Sequence, residues 1–471
     1  MAVFCSPKQR LTLIWFSVAA TALCLAAVRC SRSAPEDTYR DAAARLRETG
    51  LRSEGAVELL NRIVAAGPRL TGSPQADEAV AVCVEMMKKL GFDRVHTEPV
   101  TVRKWVRRSE RASVIGADGG LIRELHVTAL GGSIATPPEG LEAELVEVGS
   151  LQELESLGDE ARGKVVFFNR PMDRAWTDPF AAYGAAADQR VRGASAASAK
   201  GALAVLVRSL TFRKDDHPHT GMLAYDEGAG RVPAAAVSTN DADFLSDLIK
   251  SGRAVQVRLS LDCEDLGPVV TANVVGEITG SELPDEVVLV GGHLDSWDLG
   301  LGAHDDAAGC AAAVEALRLI KACGIKPKRT VRAVMFMDEE FGGTGGRYYA
   351  AAPERKGEKH LLAMESDRGG FLPLGLAVGG SDRRLTAKVR RFEDQFRPLG
   401  VLSITGGGGG VDVGPLVAAG ARPASVITNA QPYFDVHHST LDVPASVHPR
   451  ELELQAVIMA LLAYIISNEG G

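Results

Sequence analysis

Blocks of hydrophobic and polar positions alternate through the C-terminal half of the chain and predict a strand, helix, strand, helix order. Apolar runs at Glu286–Gly291, Thr330–Met337 and His360–Met364 predict three buried strands. Between the first two, Asp306–Cys323 has Ala, Val and Leu at helical spacing and is followed by a glycine. Such alternation is typical of a mainly parallel sheet with helices on both faces.

The N-terminal half has a different pattern. Residues 38–67 predict a helical opening, and Ala76–Leu90 predicts a helix that ends before a glycine. From residue 121 to residue 265 short apolar runs predict a β-rich insertion. Its predicted strands are Leu145–Val148, Lys164–Asn169, Ala202–Val207 and Ala234–Val237. The predicted fold is therefore α/β, with a mixed, mainly parallel sheet flanked by helices and one inserted β-rich module.

Residues 1–34 predict a leader. Lys8 and Arg10 precede an apolar stretch from Leu11 to Val28, after which the chain becomes polar. This order is typical of a secretory signal peptide. A run of roughly 18 apolar residues also suits an uncleaved membrane anchor. We therefore expect a secreted or periplasmic protein, which would be membrane-anchored if the leader is retained.

Length, charge and cysteine content narrow the class of protein. A chain of 471 residues suggests two domains, or one domain with a large insertion. The net charge is −8 and no basic block occurs, which argues against a nucleic-acid partner. Cysteines beyond the leader are few, and Cys310 and Cys323 are too far apart on one predicted helix to form a disulfide. We expect buried free thiols.

Five segments carry most of the His, Asp and Glu residues that could bind a metal. They are residues 291–298 (Gly-Gly-His-Leu-Asp-Ser-Trp-Asp), 302–309, 337–342 (Met-Asp-Glu-Glu-Phe-Gly), 364–369 and 436–442. Several of them directly follow predicted strands, and functional groups collect beyond the carboxyl ends of parallel strands. Imidazoles and carboxylates together form a cage for divalent cations. The pattern predicts a two-metal hydrolase.

These segments, together with Gly-Pro-Arg-Leu-Thr-Gly-Ser at residues 67–73, resemble the metal-dependent exopeptidases of peptidase family M28. The resemblance extends over nearly the whole chain beyond the leader. It implies a zinc-peptidase fold formed by residues 35–120 and 266–471. It also implies that the 121–265 insertion is a protease-associated-type module.

The resemblance further implies a site for two zinc ions per chain. His293 and Asp367 would bind one zinc ion, and Glu340 and His438 would bind the other. Asp305 would bridge the two ions. Chemistry asks for the same residue types, because two metals about 3.5–4 Å apart need a bridging carboxylate and terminal ligands that leave room for water.

Three further features follow from the resemblance. Glu339 would act as the general base toward a water held between the metals, since its neighbour Glu340 is occupied as a ligand. Asp295 would orient His293, as carboxylates commonly do for metal-bound imidazoles. The peptide bond between Asp305 and Asp306 would be cis.

The resulting hypothesis is an exported dizinc exopeptidase that hydrolyses dipeptides or short peptides and forms a homodimer. Three alternatives remain open at this stage. The first is an aminopeptidase of the same family, because the recognised end of the peptide depends on groups that only folding brings together. The second is a non-catalytic binding protein on the same fold. The third is an acyltransferase of the glutaminyl-cyclase type, which would hold one zinc ion.

Other residues near these segments have less specific signals. His437 is expected to be a structural or pocket residue, and His304 is expected at the solvent side or the edge of the pocket. His219, in the insertion, is not expected to belong to a third metal site, although it could contact substrate across the cleft. Tyr433 and Phe434 could line a specificity pocket or pack in the core.

Overall fold

The computed structural model describes residues 35–228 and 230–471. The predicted leader, residues 1–34, lies outside this part of the chain. The helices in the described part are α1 (Pro35–Leu51), α2 (Gly55–Val64), α3 (Pro74–Lys89), α4 (Leu151–Leu157), α5 (Pro179–Ala186), α6 (Asp188–Ala199), α7 (Thr239–Lys250), α8 (Ala308–Ala322), α9 (Thr344–Ala351), α10 (Arg383–Arg390), α11 (Glu393–Phe396), α12 (Gly414–Ala418), α13 (Tyr433–Val436) and α14 (Pro449–Glu469).

The strands form one continuous, strongly mixed sheet. They are β1 (Arg94–Ile115), β2 (Leu121–Leu125), β3 (Val127–Ala129), β4 (Leu141–Val148), β5 (Val165–Phe168), β6 (Ala204–Arg208), β7 (Ala234–Val237), β8 (Gln256–Ile278), β9 (Leu283–His293), β10 (Arg329–Phe336), β11 (Lys359–Glu365), β12 (Pro373–Val378), β13 (Ser403–Thr405) and β14 (Arg422–Thr428). Their order is β13-β12-β14-β11-β9-β10-β8-β4-β5-β6-β7-β3, and β1 pairs with β2 and β8.

Two parallel blocks lie at either side of a long antiparallel ribbon. In the first block, β14, β11, β9 and β10 run parallel, as expected for strands joined by crossover helices. In the second, β4, β5, β6 and β7 are also parallel. The ribbon is β1 paired antiparallel with β8, which borders β10 at one end and β4 at the other. The predicted boundary between residues 265 and 266 lies within β8.

The main hydrophobic core lies between the first parallel block and helices α8 and α14. Val287–Val290 of β9 have no exposed surface, which explains their continuous apolar pattern. Helix α14 is long and apolar enough to cross a membrane, but it is mostly buried and contacts α8 and the sheet. We therefore interpret it as a core helix. It is apolar on most sides because it is covered on most sides.

Most predicted elements are present, with small changes at their ends. The predicted opening helix is two helices, since the chain breaks before Gly55, whose N–H donates to the Ser53 hydroxyl at 2.9 Å. The helix predicted from Asp306 begins instead at Ala308, because Asp305 and Asp306 have non-helical backbone angles. The expected free thiols are confirmed for all four cysteines in the described part, each of which is buried.

Candidate metal centre

The sheet brings the predicted ligands to one edge. His293 is the last residue of β9, and the 338–340 segment directly follows β10, its parallel neighbour. Asp367 follows β11, which borders β9 on the other side. Asp305 precedes α8 and His438 follows α13. Neighbouring parallel strands end at the same edge, so residues far apart in sequence meet there.

The two oxygens of Asp305 face two different groups of residues. Asp305 Oδ1 lies 3.2 Å from His293 Nε2, which is 3.6 Å from Asp367 Oδ1. Asp305 Oδ2 lies 3.3 Å from His438 Nε2, which is 3.1 Å from Glu340 Oε2. All five side chains therefore converge, with Asp305 between a His293–Asp367 pair and a Glu340–His438 pair.

The donor atoms fit a pair of divalent cations. Among the five candidate ligands, three carboxylate oxygens are enclosed without a hydrogen-bond partner in the described part of the chain: Asp305 Oδ2, Glu340 Oε1 and Asp367 Oδ1. An unpaired buried carboxylate oxygen is costly unless a cation meets it. His293, Asp305 and Glu340 have ligand atoms within 4.8 Å of one another, and two further groups at the site include His437 or Asp306. Mixed imidazole and carboxylate donors suit zinc.

The field of the carboxylates favours positive charge at this site. Burial alone would lower the pKa of His293, but the neighbouring carboxylates of Asp305 and Asp367 raise it well above its usual value. His438 behaves in the same way: burial opposes protonation, while Glu340 and Asp305 raise its pKa well above the usual value. The attraction that holds a proton on each imidazole would equally hold a metal ion.

Glu339 lies beside these groups but outside the ion pairs that join them. Its side chain is half-buried, whereas Glu340 is buried. Burial, with the negative charges of Asp367 and Glu340, raises the pKa of Glu339 well above its usual value, although His293 opposes the shift. A carboxyl group with a raised pKa can both accept and return a proton near neutral pH.

Asp295 positions the segment that carries both glutamates. Its Oδ1 accepts the N–H groups of Asp338 at 2.8 Å and Glu339 at 3.2 Å, and its Oδ2 accepts that of Glu340 at 3.3 Å. The contact expected between the Asp295 carboxylate and His293 Nδ1 spans 3.8 Å. The carbonyl oxygen of Asp295 lies nearer to Nδ1, at 3.0 Å. The carboxylate thus contacts the glutamate loop more closely than the imidazole.

Asp442 and Asp306 hold the backbone around Asp305, and sequence reasoning gave neither a role. The Asp442 carboxylate accepts the N–H groups of His304 at 2.7 Å and Asp305 at 3.1 Å. Asp306 accepts the N–H of His293 at 3.1 Å. The only sequence signal for Asp442 was its position four residues after His438. The cis peptide expected between Asp305 and Asp306 is confirmed.

The Gly-Pro-Arg-Leu-Thr-Gly-Ser segment supports the same loops. Arg69 is fully buried, and its guanidinium donates to the carbonyls of Leu294, Leu301 and Gly302. The Thr71 hydroxyl donates to Asp295 Oδ2 at 2.8 Å. This segment contacts the backbone that carries the candidate ligands, which explains why it accompanies them in the sequence.

The neighbouring histidines have different environments. His437 Nε2 lies 3.7 Å from Asp305 Oδ2, and its ring stacks on that of His438. His438 is the better ligand candidate because it also approaches Glu340. The solvent-side position expected as one alternative for His304 was wrong: the residue has no exposed surface and stacks on Phe371. Its Nδ1 accepts the N–H of Gly370 at 3.1 Å.

The inserted segment reaches the site through residues 217–222. His219 Nδ1 lies 2.6 Å from the carbonyl oxygen of His437. Thr220 donates its N–H to the carbonyl of His438 at 3.0 Å, and its own carbonyl lies 3.3 Å from His438 Nδ1. The insertion therefore contacts the backbone and the ring of a candidate ligand while contributing none of the five candidate ligands itself.

Aromatic rings join the insertion to the end of the chain beside the site. Tyr433 and Phe434 are buried and contact Phe180 of α5 at centroid distances of 5.1 and 5.0 Å. Tyr183, one turn further along α5, stacks on Phe434 at 4.6 Å and contacts His437 at 5.2 Å. Both residues of α13 thus pack in a shared aromatic cluster, the core role expected as one of two alternatives.

Comparisons with known proteins agree with this geometry. The model of "Peptidase family M28" matches residues 273–462. Carboxypeptidase Q from Bos taurus and from Homo sapiens are each 36% identical over 402 residues, covering 85% of this chain and 83% of theirs. The crystal structure of a peptidase M28 precursor from Shewanella amazonensis SB2B superposes with a TM-score of 0.88 at 36% identity, covering 93% of this chain and 98% of that one. A zinc aminopeptidase from Bacillus subtilis, 20% identical with a TM-score of 0.64, covers 88% of this chain and 96% of its own and shares the fold.

The mainly parallel sheet and the cluster of imidazoles and carboxylates at its edge define a metallopeptidase. Within that class, the chain belongs to peptidase family M28.

Proposed function

We propose that this protein is a dizinc exopeptidase that hydrolyses dipeptides or short peptides. The observation that carries the proposal is the division of Asp305 between two groups of ligands, His293 with Asp367 on Oδ1 and His438 with Glu340 on Oδ2. A carboxylate whose two oxygens face two separate groups of ligands is well placed to bridge two cations. The enclosed, unpartnered oxygens of the same residues support it.

Two zinc ions held by these five residues would polarise the scissile carbonyl and lower the pKa of an attacking water. Glu339 then has the task of moving protons. Its carboxylate accepts a proton from the attacking water and passes it to the departing amine. Asp295 keeps Glu339 and Glu340 in register by binding the N–H groups of both. One segment can therefore supply a ligand and a base.

Recognition of the carboxyl end of the peptide is the version we favour. The chain is 36% identical to proteins named carboxypeptidase Q over most of both lengths. The related zinc aminopeptidase, at 20% identity, shares the fold alone. A non-catalytic role fits poorly with the complete set of candidate ligands and a separate Glu339. An acyltransferase with one zinc ion would use only one of the two pairs of candidate ligands.

The insertion and the leader have roles in this proposal. The 121–265 insertion shapes the substrate cleft, supported by its contacts with His437 and His438. The leader at residues 1–34 directs the protein to a secreted or periplasmic location, with membrane attachment if it is retained. The protein also forms a homodimer in this proposal, and its substrates are short peptides.

A screen of blocked peptides tests the function. The purified zinc-loaded protein is offered free dipeptides, N-acetylated dipeptides and dipeptide amides, and the released amino acids are measured. We expect hydrolysis of the free and N-acetylated forms and poor hydrolysis of the amides. Hydrolysis that requires a free amino terminus but tolerates the amide would support the aminopeptidase alternative. No hydrolysis of any member, with zinc present, would contradict the proposal.

A further inference from the structure

Arg190, on α6 of the insertion, is a buried arginine without a counter-ion. Its residue surface is 8% exposed, and its Nε is enclosed with no hydrogen-bond partner. Its guanidinium forms no hydrogen bond or ion pair with any residue in the described part of the chain. Arg170 and Arg355 also have an enclosed Nε, but other nitrogens of theirs bind carboxylates. Arg190 differs from both.

Such an arrangement is costly in the free protein. A buried cation loses its hydration and regains the free energy only through paired charges or hydrogen bonds. Arg69 shows the ordinary solution in this molecule, since it is fully buried and donates to three backbone carbonyls. The guanidinium of Arg190 is therefore short of a partner, and an anion from outside the described chain would provide one.

The guanidinium is held beside the candidate metal centre. It lies 5.3 Å from the centroid of the Tyr183 ring, and that ring contacts the ring of His437 at 5.2 Å. His437 Nε2 is in turn 3.7 Å from Asp305 Oδ2. Two ring contacts therefore connect the guanidinium of Arg190 to the candidate metal centre.

Gly221 makes the room for this side chain. A Cβ at Gly221 would overlap the guanidinium of Arg190, and the backbone there has φ +138°, which side-chain-bearing residues rarely adopt. The preceding residue, Thr220, exchanges contacts with His438. The segment that packs against the candidate ligand His438 therefore also forms the place where Arg190 lies.

We propose that Arg190 binds the C-terminal carboxylate of the peptide substrate. This inference rests on the proposed peptidase function and names the group that selects the carboxyl end. A guanidinium presents a planar fork of donors that matches a carboxylate with two parallel hydrogen bonds. The Tyr183 ring lies 5.3 Å from this guanidinium and 5.2 Å from the His437 ring, a separation that two or three residues of extended peptide span at about 3.5 Å each. Arg190 is thus a specificity residue supplied by the insertion.

Arg368 is the rival cation. It follows the candidate ligand Asp367, and its guanidinium lies 4.5 Å from the Phe180 ring centroid. Its side chain is exposed, so water already solvates its charge and an ion pair there gains little. Arg190 is desolvated, and an ion pair with it is correspondingly stronger. The observations favour Arg190, and the experiment compares both.

The kinetic test uses full-length, zinc-loaded protein with alanyl-leucine and alanyl-leucinamide. We expect wild type to prefer the free acid. Arg190→Gln should reduce kcat/KM for the acid by roughly 10²-fold, mainly through KM, and leave the amide nearly unchanged. Arg190→Lys should recover part of the loss. Arg192→Gln, an exposed arginine on the same helix, is the matched control and should behave as wild type. The proposal would be overturned if Arg368→Gln, and not Arg190→Gln, lost kcat/KM selectively on the acid. It would also be overturned if Arg190→Gln lost kcat/KM equally on the acid and the amide.

Thermal unfolding separates binding from a structural role. Because the unpaired charge costs free energy in the absence of substrate, Arg190→Met should keep or raise the Tm of the free protein. A lower Tm together with lost activity on both substrates would show that Arg190 acts by supporting the fold, which contradicts the proposal.

A binding measurement distinguishes failure of this inference from failure of the proposed function. Calorimetry with full-length, zinc-loaded protein compares the binding of leucine with that of leucinamide. We expect leucine to bind more tightly to wild type than to Arg190→Gln, by roughly 10²-fold, and leucinamide to bind both equally weakly. This result with an inactive enzyme would refute only the peptidase function. Equal binding of leucine to both proteins would refute the role of Arg190.

Discussion

Glu339 and Glu340 are adjacent, yet their surroundings assign them different tasks. Glu340 is buried and lies 3.1 Å from His438, whereas Glu339 is half-buried and has a raised pKa. Glu339→Gln should keep the bound zinc and lower kcat by roughly 10²–10⁴-fold, the effect of losing a general base. Glu340→Gln should lower the zinc content itself. Turnover and elemental analysis on the same samples check both outcomes, and near-wild-type kcat in zinc-loaded Glu339→Gln would refute the base assignment.

Asp442 offers a second test at the level of single residues. Its carboxylate accepts two backbone N–H groups beside the proposed bridging residue, and Asn can accept with one oxygen only. Asp442→Asn should weaken zinc affinity by about 10–100-fold, as outer partners of metal ligands commonly do. Competition with a chelator measures the change. Asp394→Asn, at an exposed aspartate, is the control, and equal affinities in the two variants would contradict the role of Asp442.

Sequence motifs were informative for the candidate ligands because His293, Glu340 and Asp367 lie at or just after the ends of recognisable apolar strands. His293, Asp305, Glu340, Asp367 and His438 meet as expected. The contacts that support these ligands were harder to predict from the sequence. The acceptor role of Asp442 and the solitary guanidinium of Arg190 depend on segments that meet only after folding. No spacing rule along the chain reports such contacts.

Close packing between α8 and the end of β11 fixes the edge of the sheet. A Cβ at Gly309, in the first turn of α8, would overlap the carbonyl oxygen of Ser366, which is backbone and cannot turn away. Gly309→Ala should therefore destabilise the protein by about 1–3 kcal/mol and lower its zinc content, since Asp305 and Asp367 lie on either side of this contact. Unfolding midpoints and elemental analysis measure both. Gly414→Ala, where a Cβ meets open space, should be neutral, and equal behaviour of the two variants would contradict this account.

At the scale of elements, the pattern of apolar runs predicted β9, β10, β11 and the short strands of the insertion with small errors at their ends. An extended segment around Val95–Val102 was expected, but the full length of β1 and its pairing with β8 were not predicted. The β1–β8 ribbon pairs residues such as Val100 with Thr271, and many of its positions are exposed and charged. Strands that depend on pairing across such a separation carry little local signal.

The core of the whole molecule also contains a titratable group that is not one of the candidate ligands. Glu453 on α14 is buried, and burial with the nearby charge of Glu315 raises its pKa to about 8. In the unfolded chain a Glu titrates near about 4.3. Between pH of about 4.3 and about 8, the Glu453 carboxyl is protonated in the folded state and ionised in the unfolded state. The free energy of unfolding therefore decreases as pH rises through this range.

Glu453→Gln should remove that dependence while keeping the acceptor for the Ala56 N–H. The Tm of the variant relative to wild type should increase between pH 5 and pH 8.5, on the order of 2 °C. Differential scanning calorimetry at the two pH values measures it. A constant difference in Tm would show that Glu453 is ionised in the folded protein throughout this range.

We propose that this fold holds two zinc ions with Asp305 between them. A crystal structure of the zinc-loaded protein, with anomalous scattering recorded above and below the zinc absorption edge, tests this arrangement. We expect two zinc peaks about 3.5–4 Å apart, one beside His293 and Asp367 and the other beside Glu340 and His438, with one Asp305 oxygen on each. A single peak in zinc-saturated crystals, or two peaks that Asp305 does not join, would contradict it.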